Sequence, residues 1–310
     1  MLTQVQGLHH VTSLAANAQS NNSFFVDTLG LRRIKKTVNF DNPKVYHLYY
    51  GDGQGAPGTV MTYFPFPNSL RGTHGVGEVG CTAFSIPKGT VSSWEARFEQ
   101  LGVNIVGRDL YFGQKRLSFV GPDGDELALI ETANDTRAPW QSDGIPLEAA
   151  VRGFHSVSMR LADDGASADL LKFMGYEEVD KQGDTTRFAI ANGNGADTID
   201  IEKIPSAEAA NQGAGSVHHI AFAVENRARQ LEVREALLDT GYQVTQVFDR
   251  NYFWAIYFKT PGGVLFEVAT NEPGFDSDED IAHLGQALKL PAKYEHMRAK
   301  LQRELEPLPG

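Results

Sequence analysis

Two histidines near opposite ends of this chain and one late glutamate could meet at a single metal ion: His10, His219 and Glu267. Each histidine is the second of a His-His pair, in Gly7-Leu8-His9-His10-Val11-Thr12 and in Ser216-Val217-His218-His219-Ile220-Ala221. Both stretches read as short strands of apolar and β-branched residues, each followed by a helical pattern. Strand side chains alternate between faces, so one histidine of each pair is expected to look into a given cavity. The alternation groups His218 with Ile220 and Phe222 on a helix-packing face, and His9 falls on the corresponding face. Glu267 lies in Gly262-Gly263-Val264-Leu265-Phe266-Glu267-Val268-Ala269-Thr270, a strand pattern apolar almost throughout. A carboxylate there is costly to bury unless it is paired, hydrogen-bonded or coordinating. A salt bridge or a barrel-mouth position is the plainer alternative. Two imidazoles and one carboxylate leave open positions on a six-coordinate metal, where a substrate and dioxygen can bind side by side. Fe(II) is the usual occupant, with Mn(II) as a substitute; Zn(II) accepts the same ligands but favours hydrolytic or Lewis-acid chemistry. The remaining histidines, His47, His74, His155, His283 and His296, sit singly and are expected to be structural or exposed.

The elements that must position these groups repeat four times. Leu8-His9-His10-Val11, Val79-Gly80-Cys81-Thr82, Phe154-His155-Ser156-Val157 and Val217-His218-His219-Ile220 can each open a module, and they start roughly 65–75 residues apart, which suits a βαβββ unit. A helix is expected after each, over 17–29, 90–101, 163–174 and 226–240, stopping at Gly30, Gly102, Gly175 and Gly241. Strand patterns follow every helix; in the last module they cover 242–248, 252–259 and 264–269. Aligning the modules puts Ala128 of the second and Thr62 of the first at the position of Glu267. The result is an α+β fold of four βαβββ modules in two tandem domains, with curved, mostly antiparallel sheets and outer helices. Residues 1–135 form the first double module, 136–151 a linker without a clear period, 152–272 the second double module and 273–310 a helical tail. Within the tail, helices are expected over 281–290 and 292–305, after an acidic stretch, Asp276-Ser277-Asp278-Glu279-Asp280, that lacks the spacing of a calcium loop.

At 310 residues with 41% apolar and 22% charged residues, the chain has the composition of an ordinary globular protein. The formal charge of −11, with no Lys/Arg run, argues against nucleic acid or an anionic membrane as partner. A single cysteine, Cys81, excludes an intrachain disulfide and fits a reducing compartment. The opening Met1–Gln6 lacks the regions of a signal peptide, and no apolar run approaches a membrane span, so a cytoplasmic location is expected.

The order of these segments resembles the vicinal oxygen chelate superfamily of glyoxalases, bleomycin-resistance proteins and extradiol dioxygenases. It is most similar to the hydroquinone-type ring-cleaving dioxygenases, through the two His-His strands, Tyr46-His47-Leu48-Tyr49-Tyr50, Asn134-Asp135-Thr136-Arg137, Arg152-Gly153-Phe154-His155-Ser156 and Thr260-Pro261-Gly262-Gly263 through Glu267. The resemblance implies His10, His219 and Glu267 as Fe(II) ligands in a site between the first and fourth modules. It also implies catalytic or substrate-contacting roles for His9, Thr12, His218, Arg250 and Tyr257. The implied partners are O2 and a small aromatic, a para-hydroquinone whose ring is opened; homo-oligomerisation is compatible with it. A glyoxalase-like metal-dependent isomerase or lyase, or a non-catalytic resistance-type binding protein, are the alternatives the same scaffold allows. The isomerase reading is weakened by Thr62, which stands where a second carboxylate would be needed.

Overall fold

In a computed structural model, which describes residues 1–309, the chain forms two curved eight-stranded sheets with helices packed against them. Gly310, the end of the expected tail, lies outside the described residues. Each module is a strand, a helix and three further strands. The first runs through Val5–Ala15, a helix over Ala18–Ser23 that continues as a π turn at Phe24–Thr28, then Arg32–Val38, Tyr46–Gly51 and Val60–Pro65. The helices begin and end where their caps dictate. The Asn17 and Asn226 side chains accept hydrogen bonds from the backbone N–H of Ser20 and Arg229. Gly30, Gly102, Gly175 and Gly241 all take positive φ just past the helix ends. The other three helices are Val91–Leu101, Gly165–Phe173 and Arg227–Asp239, close to the expected spans. One strand is much shorter than expected: of residues 242–248 only Phe248, with Asp249, pairs into the sheet.

Within a module the opening strand bonds in parallel to the last strand, as a helical crossover requires, and the other pairs are antiparallel. That leaves one side of each opening strand free for a second module. The sheets do not follow the division at the linker. Val5–Ala15 of the first module pairs antiparallel with Val217–Val224 of the fourth, and Glu78–Pro87 of the second with Gly153–Leu161 of the third. Half of each sheet therefore comes from either side of residues 136–151, which cross between them without regular structure. This pairing brings the two His-His strands side by side.

The register between those strands shifts between Val5 and Leu8 and again at each His-His pair. His10 lies opposite Ala221 and Leu8 opposite Phe222, so His9 is an extra residue; Thr12 lies opposite His219 and Ser13 opposite Val217, so His218 is extra. A bulge bends the strand and re-aims consecutive side chains. Strict alternation fails at the two positions where the chemistry is densest.

The tail is less helical than its periodicity suggests. Ile281–His283 and Ala292–Met297 are 3-10 turns, and only Arg298–Glu304 is α-helical. Its backbone is used elsewhere: Leu288 bridges Lys36, Lys289 N–H donates to Lys36 O, and Gly285 O accepts from Arg33 Nε. The tail thereby covers the otherwise open edge strand Arg32–Val38. Two of the acids flanking it serve a cation of this chain. Buried Lys35 donates to Asp278 Oδ1 at 2.7 Å, Glu279 Oε2 at 2.6 Å and Phe275 O at 2.8 Å.

Candidate functional site

His10 and His219 project from the two bulged strands and Glu267 from the neighbouring strand Leu265–Pro273. His219 Nε2 lies 2.9 Å and His10 Nε2 3.4 Å from Glu267 Oε2, and the two nitrogens are 3.3 Å apart. All three side chains are buried. Neither Glu267 oxygen meets a donor in good hydrogen-bonding geometry, although both are cut off from solvent. Burial alone would raise the Glu267 carboxyl, yet the imidazoles of His10 and His219 hold it well below the ordinary carboxylate range. An ionised carboxylate and two imidazole nitrogens converging on one point, out of water, form a donor set that fits a divalent cation.

The first histidine of each pair sets the second. His9 Nδ1 is 2.9 Å from His10 Nδ1, and His218 Nδ1 is 2.7 Å from His219 Nδ1. Burial, then the adjoining His10, pushes His9 down to about 3; burial, then His219, takes His218 to about 4. Both are therefore neutral acceptors near pH 7. A proton placed on Nδ1 of His10 and of His219 satisfies both contacts and leaves each Nε2 lone pair free for a metal. His9 keeps a proton on its other nitrogen for the backbone of Thr270. Alternation had put His9 and His218 on helix-packing faces; the bulges place them instead beside the ligands, and His218 also lines the cavity.

A cavity of about 370 Å³ opens in front of the three ligands. Phe40, Phe64, Phe66 and Phe253 give it apolar walls, and Arg250 and Tyr257 enter from the last module. Arg250 Nε donates to Tyr257 OH at 3.2 Å, and the guanidinium is framed by the rings of Phe40, Phe248 and Tyr257. Burial, reinforced by Glu267, holds the Tyr257 phenol well above its usual value, so it stays protonated. Thr12 does not line the cavity; it lies beneath it, Oγ1 3.1 Å from Thr62 Oγ1.

Two residues there escaped the reading of the sequence. His47 lines the cavity, its Nε2 2.7 Å from Thr62 Oγ1 and its Nδ1 2.8 Å from Tyr49 OH. Tyr49–His47–Thr62–Thr12 is thus a continuous buried hydrogen-bonded chain, with His47 lowered by burial and by His10 and His219. With the strands aligned, Tyr49 pairs with Thr62 as Tyr257 pairs with Glu267, so the first module carries a neutral copy of the polar cluster in the fourth. Of the other aromatics near the site, Tyr46, Tyr50 and Phe266 pack or bond elsewhere. His74 and His155 contact Glu78 and Gln114, away from the triad.

Comparison with known proteins identifies the family and the fold. The sequence model of the Glyoxalase/Bleomycin resistance protein/Dioxygenase superfamily matches residues 168–268. Over 308 residues, covering 99% of this chain and 98% of the relative, the sequence is 38% identical to "Putative ring-cleaving dioxygenase MhqO" of Bacillus subtilis. It is 35% identical to the chlorohydroquinone/hydroquinone 1,2-dioxygenase of Sphingobium indicum, covering 97% and 96% of the two chains. The chain belongs to the glyoxalase/bleomycin resistance/dioxygenase superfamily, among its ring-cleaving dioxygenases. The crystal structure of a dioxygenase homologue from Bacillus subtilis superimposes with a TM-score of 0.95 at 38% identity, covering 98% of both chains. Glyoxalase I of Zea mays shares the fold, with a TM-score of 0.64 at 14% identity over 86% of this chain and 92% of that one. In this superfamily member four modules build the scaffold, and a three-residue site capable of binding a metal sits where the first and fourth meet.

Proposed function

We propose that the protein is an Fe(II)-dependent, extradiol-type dioxygenase that opens the ring of a para-hydroquinone, with His10, His219 and Glu267 as the metal ligands. The observation that carries this reading is the buried Glu267 carboxylate converging with two imidazole nitrogens, 2.9 and 3.4 Å from Oε2, at one point cut off from solvent. Bound there, Fe(II) would acidify a phenol and allow electron flow from the ring to O2. Mn(II) could substitute; Zn(II) would bind without supporting oxygen chemistry.

The chain's own groups do the rest. Phe40, Phe64 and Phe253 hold an aromatic ring in an apolar slot and exclude water, which strengthens every charge interaction within it. Neutral His218 accepts from His219 through Nδ1, so its Nε2 carries the proton and donates to a substrate oxygen in the cavity. Arg250 stabilises negative charge as it develops on oxygen, and Tyr257 supplies a proton from its phenolic OH. His9 and Thr12 act through their neighbours, His10 and Thr62. In the net reaction one ring C–C bond breaks and both atoms of O2 enter the product, one completing a carboxylic acid and one an aldehyde.

Thr62, in the position of a second carboxylate and tied to His47 and Thr12, disfavours a four-ligand isomerase. The test is oxygen uptake by protein loaded anaerobically with Fe(II), with metal measured on the same sample. One O2 consumed per hydroquinone at stoichiometric iron supports the reading. Bound metal with no uptake on hydroquinone or catechol would overturn it.

A further inference from the structure

Part of the cavity wall is the tip of the hairpin between Arg32–Val38 and Tyr46–Gly51, where Asn39, Phe40, Asp41 and Asn42 all line the space. Hairpin tips are ordinarily among the more mobile parts of a fold. This one is tied internally: Asn39 N–H donates to Val45 O at 2.8 Å, and the Asn39 side chain accepts from the N–H of Asp41 and Asn42 at 2.8 and 3.1 Å. It is also tied from the far end of the sequence. Lys293 Nζ and Tyr294 OH both donate to Phe40 O, each at 2.7 Å, which occupies both lone pairs of that carbonyl. The Phe40 ring, so held, lies 5.4 Å from the Arg250 guanidinium carbon, and Arg250 in turn bonds Tyr257. Lys293 and Tyr294 belong to the tail, outside all four modules, in the 3-10 segment Ala292–Met297.

We propose that Lys293 and Tyr294 are positioning residues of the active site: the C-terminal tail fixes the substrate-facing hairpin through the Phe40 carbonyl, and thereby sets how tightly an aromatic substrate is held against Arg250. The consequence for substrate binding rests on the proposed ring-cleaving function; the fixing of the hairpin does not. The tail therefore contributes to the site without lining it. Losing both hydrogen bonds to that carbonyl corresponds to roughly a tenfold weaker grip on substrate.

The test is the double variant Lys293→Met/Tyr294→Phe, with Arg298→Met as control. Arg298 bonds Leu288 O and Glu295 inside the tail and does not touch the hairpin. In the double variant, amides 39–45 should exchange with solvent faster while those of the two His-His strands do not, and iron content should stay at the wild-type level. KM for hydroquinone should rise about tenfold with kcat within about threefold of wild type. The control should leave both exchange and KM as they were. Unchanged exchange of 39–45 in the double variant would overturn the inference, as would faster exchange with an unaltered KM, or a control that reproduces the effect. If the wild-type protein consumes no O2 with hydroquinone, the functional reading fails while the exchange measurement still decides whether the tail fixes the hairpin.

Discussion

The two sheets place a carboxylate at the same point and neutralise it in opposite ways. Asp200 sits one residue past the pair Ile199–Val157, as Glu267 sits one past Phe266–Ile220. Opposite Asp200 on the next strand is Arg187, whereas opposite Glu267 is Tyr257. Arg187 closes on Asp200 with two bonds of 2.8 Å, and the ring of Phe112 covers the guanidinium at 3.9 Å. Even the bulges repeat: Gly80 and His155 are the extra residues of the second sheet, as His9 and His218 are of the first. The positions of His10 and His219 are taken there by Cys81 and Ser156. A buried carboxylate needs a cation. One sheet supplies it from its own sequence and fills its face; the other sets two imidazoles beside it in an arrangement capable of binding a metal. The backbone device is common to both, and residue type alone decides which face is a site.

This contrast is broken most directly by removing the carboxylates one at a time. Glu267→Ala should abolish stoichiometric metal and reduce O2 uptake to background while the far-ultraviolet circular dichroism is retained. Asp200→Asn should do the reverse: metal content and turnover persist, but stability in urea falls by about 3–5 kcal/mol, because Arg187 is left buried without its partner. Metal retained by the Glu267 variant would refute the ligand assignment. A metal-free Asp200 variant would mean that the two faces are not independent.

Much of the contrast was legible in the sequence, for identifiable reasons. The modular repeat, the helices and their glycine stops follow from local periodicity, which needs no knowledge of the partner strand. Glu267 stood out because a charge in an apolar strand is anomalous wherever the strand ends up. The pairing of first with fourth module is not local: it depends on which opening strand finds which, and no residue pattern within a module encodes that. The bulges at His9 and His218 were hidden for a related reason, since an extra residue exists only relative to a partner's register. Period-two reasoning therefore sent both histidines to the wrong face. The tail at 281–290 looked helical because its spacing permits a helix; its backbone bonds were claimed instead by an exposed sheet edge. His47 stands alone in the sequence, and its bond to Thr62 appears only when two strands of the module align.

The first histidine of each pair offers a finer test of how the site face differs from the filled one. His9→Phe and His218→Phe should each keep the fold and weaken iron binding by about 10–100-fold, since the ligand's Nδ1 proton loses its acceptor and the ring its fixed tautomer. Dialysis against a chelator with measured iron retention reads this directly. Iron affinity equal to wild type in both variants would reduce these contacts to packing.

The smallest effect separates what belongs to the fold from what belongs to the metal. His155 occupies in the third module the place of His218 in the fourth, and it too bonds the residue after it, with Nδ1 2.9 Å from Ser156 Oγ. Burial, then the charges of Arg187 and Arg137, pushes it down to about 3, as burial and His10 do for His9. Both remain neutral in the folded protein while the unfolded chain takes up protons below about pH 6.5. Each therefore contributes stability that is present above that pH and is lost as the pH falls toward 3, at up to about 1.4 kcal/mol per pH unit. Metal-free protein should accordingly unfold at lower urea at pH 5 than at pH 7.5. His155→Gln should flatten that dependence by about one proton and leave iron binding untouched, because no ligand stands next to it. Should His155→Gln leave the slope unaltered, the half-buried histidine of the filled face would have to be protonated already, and the parallel drawn between His155 and His9 would fail with it.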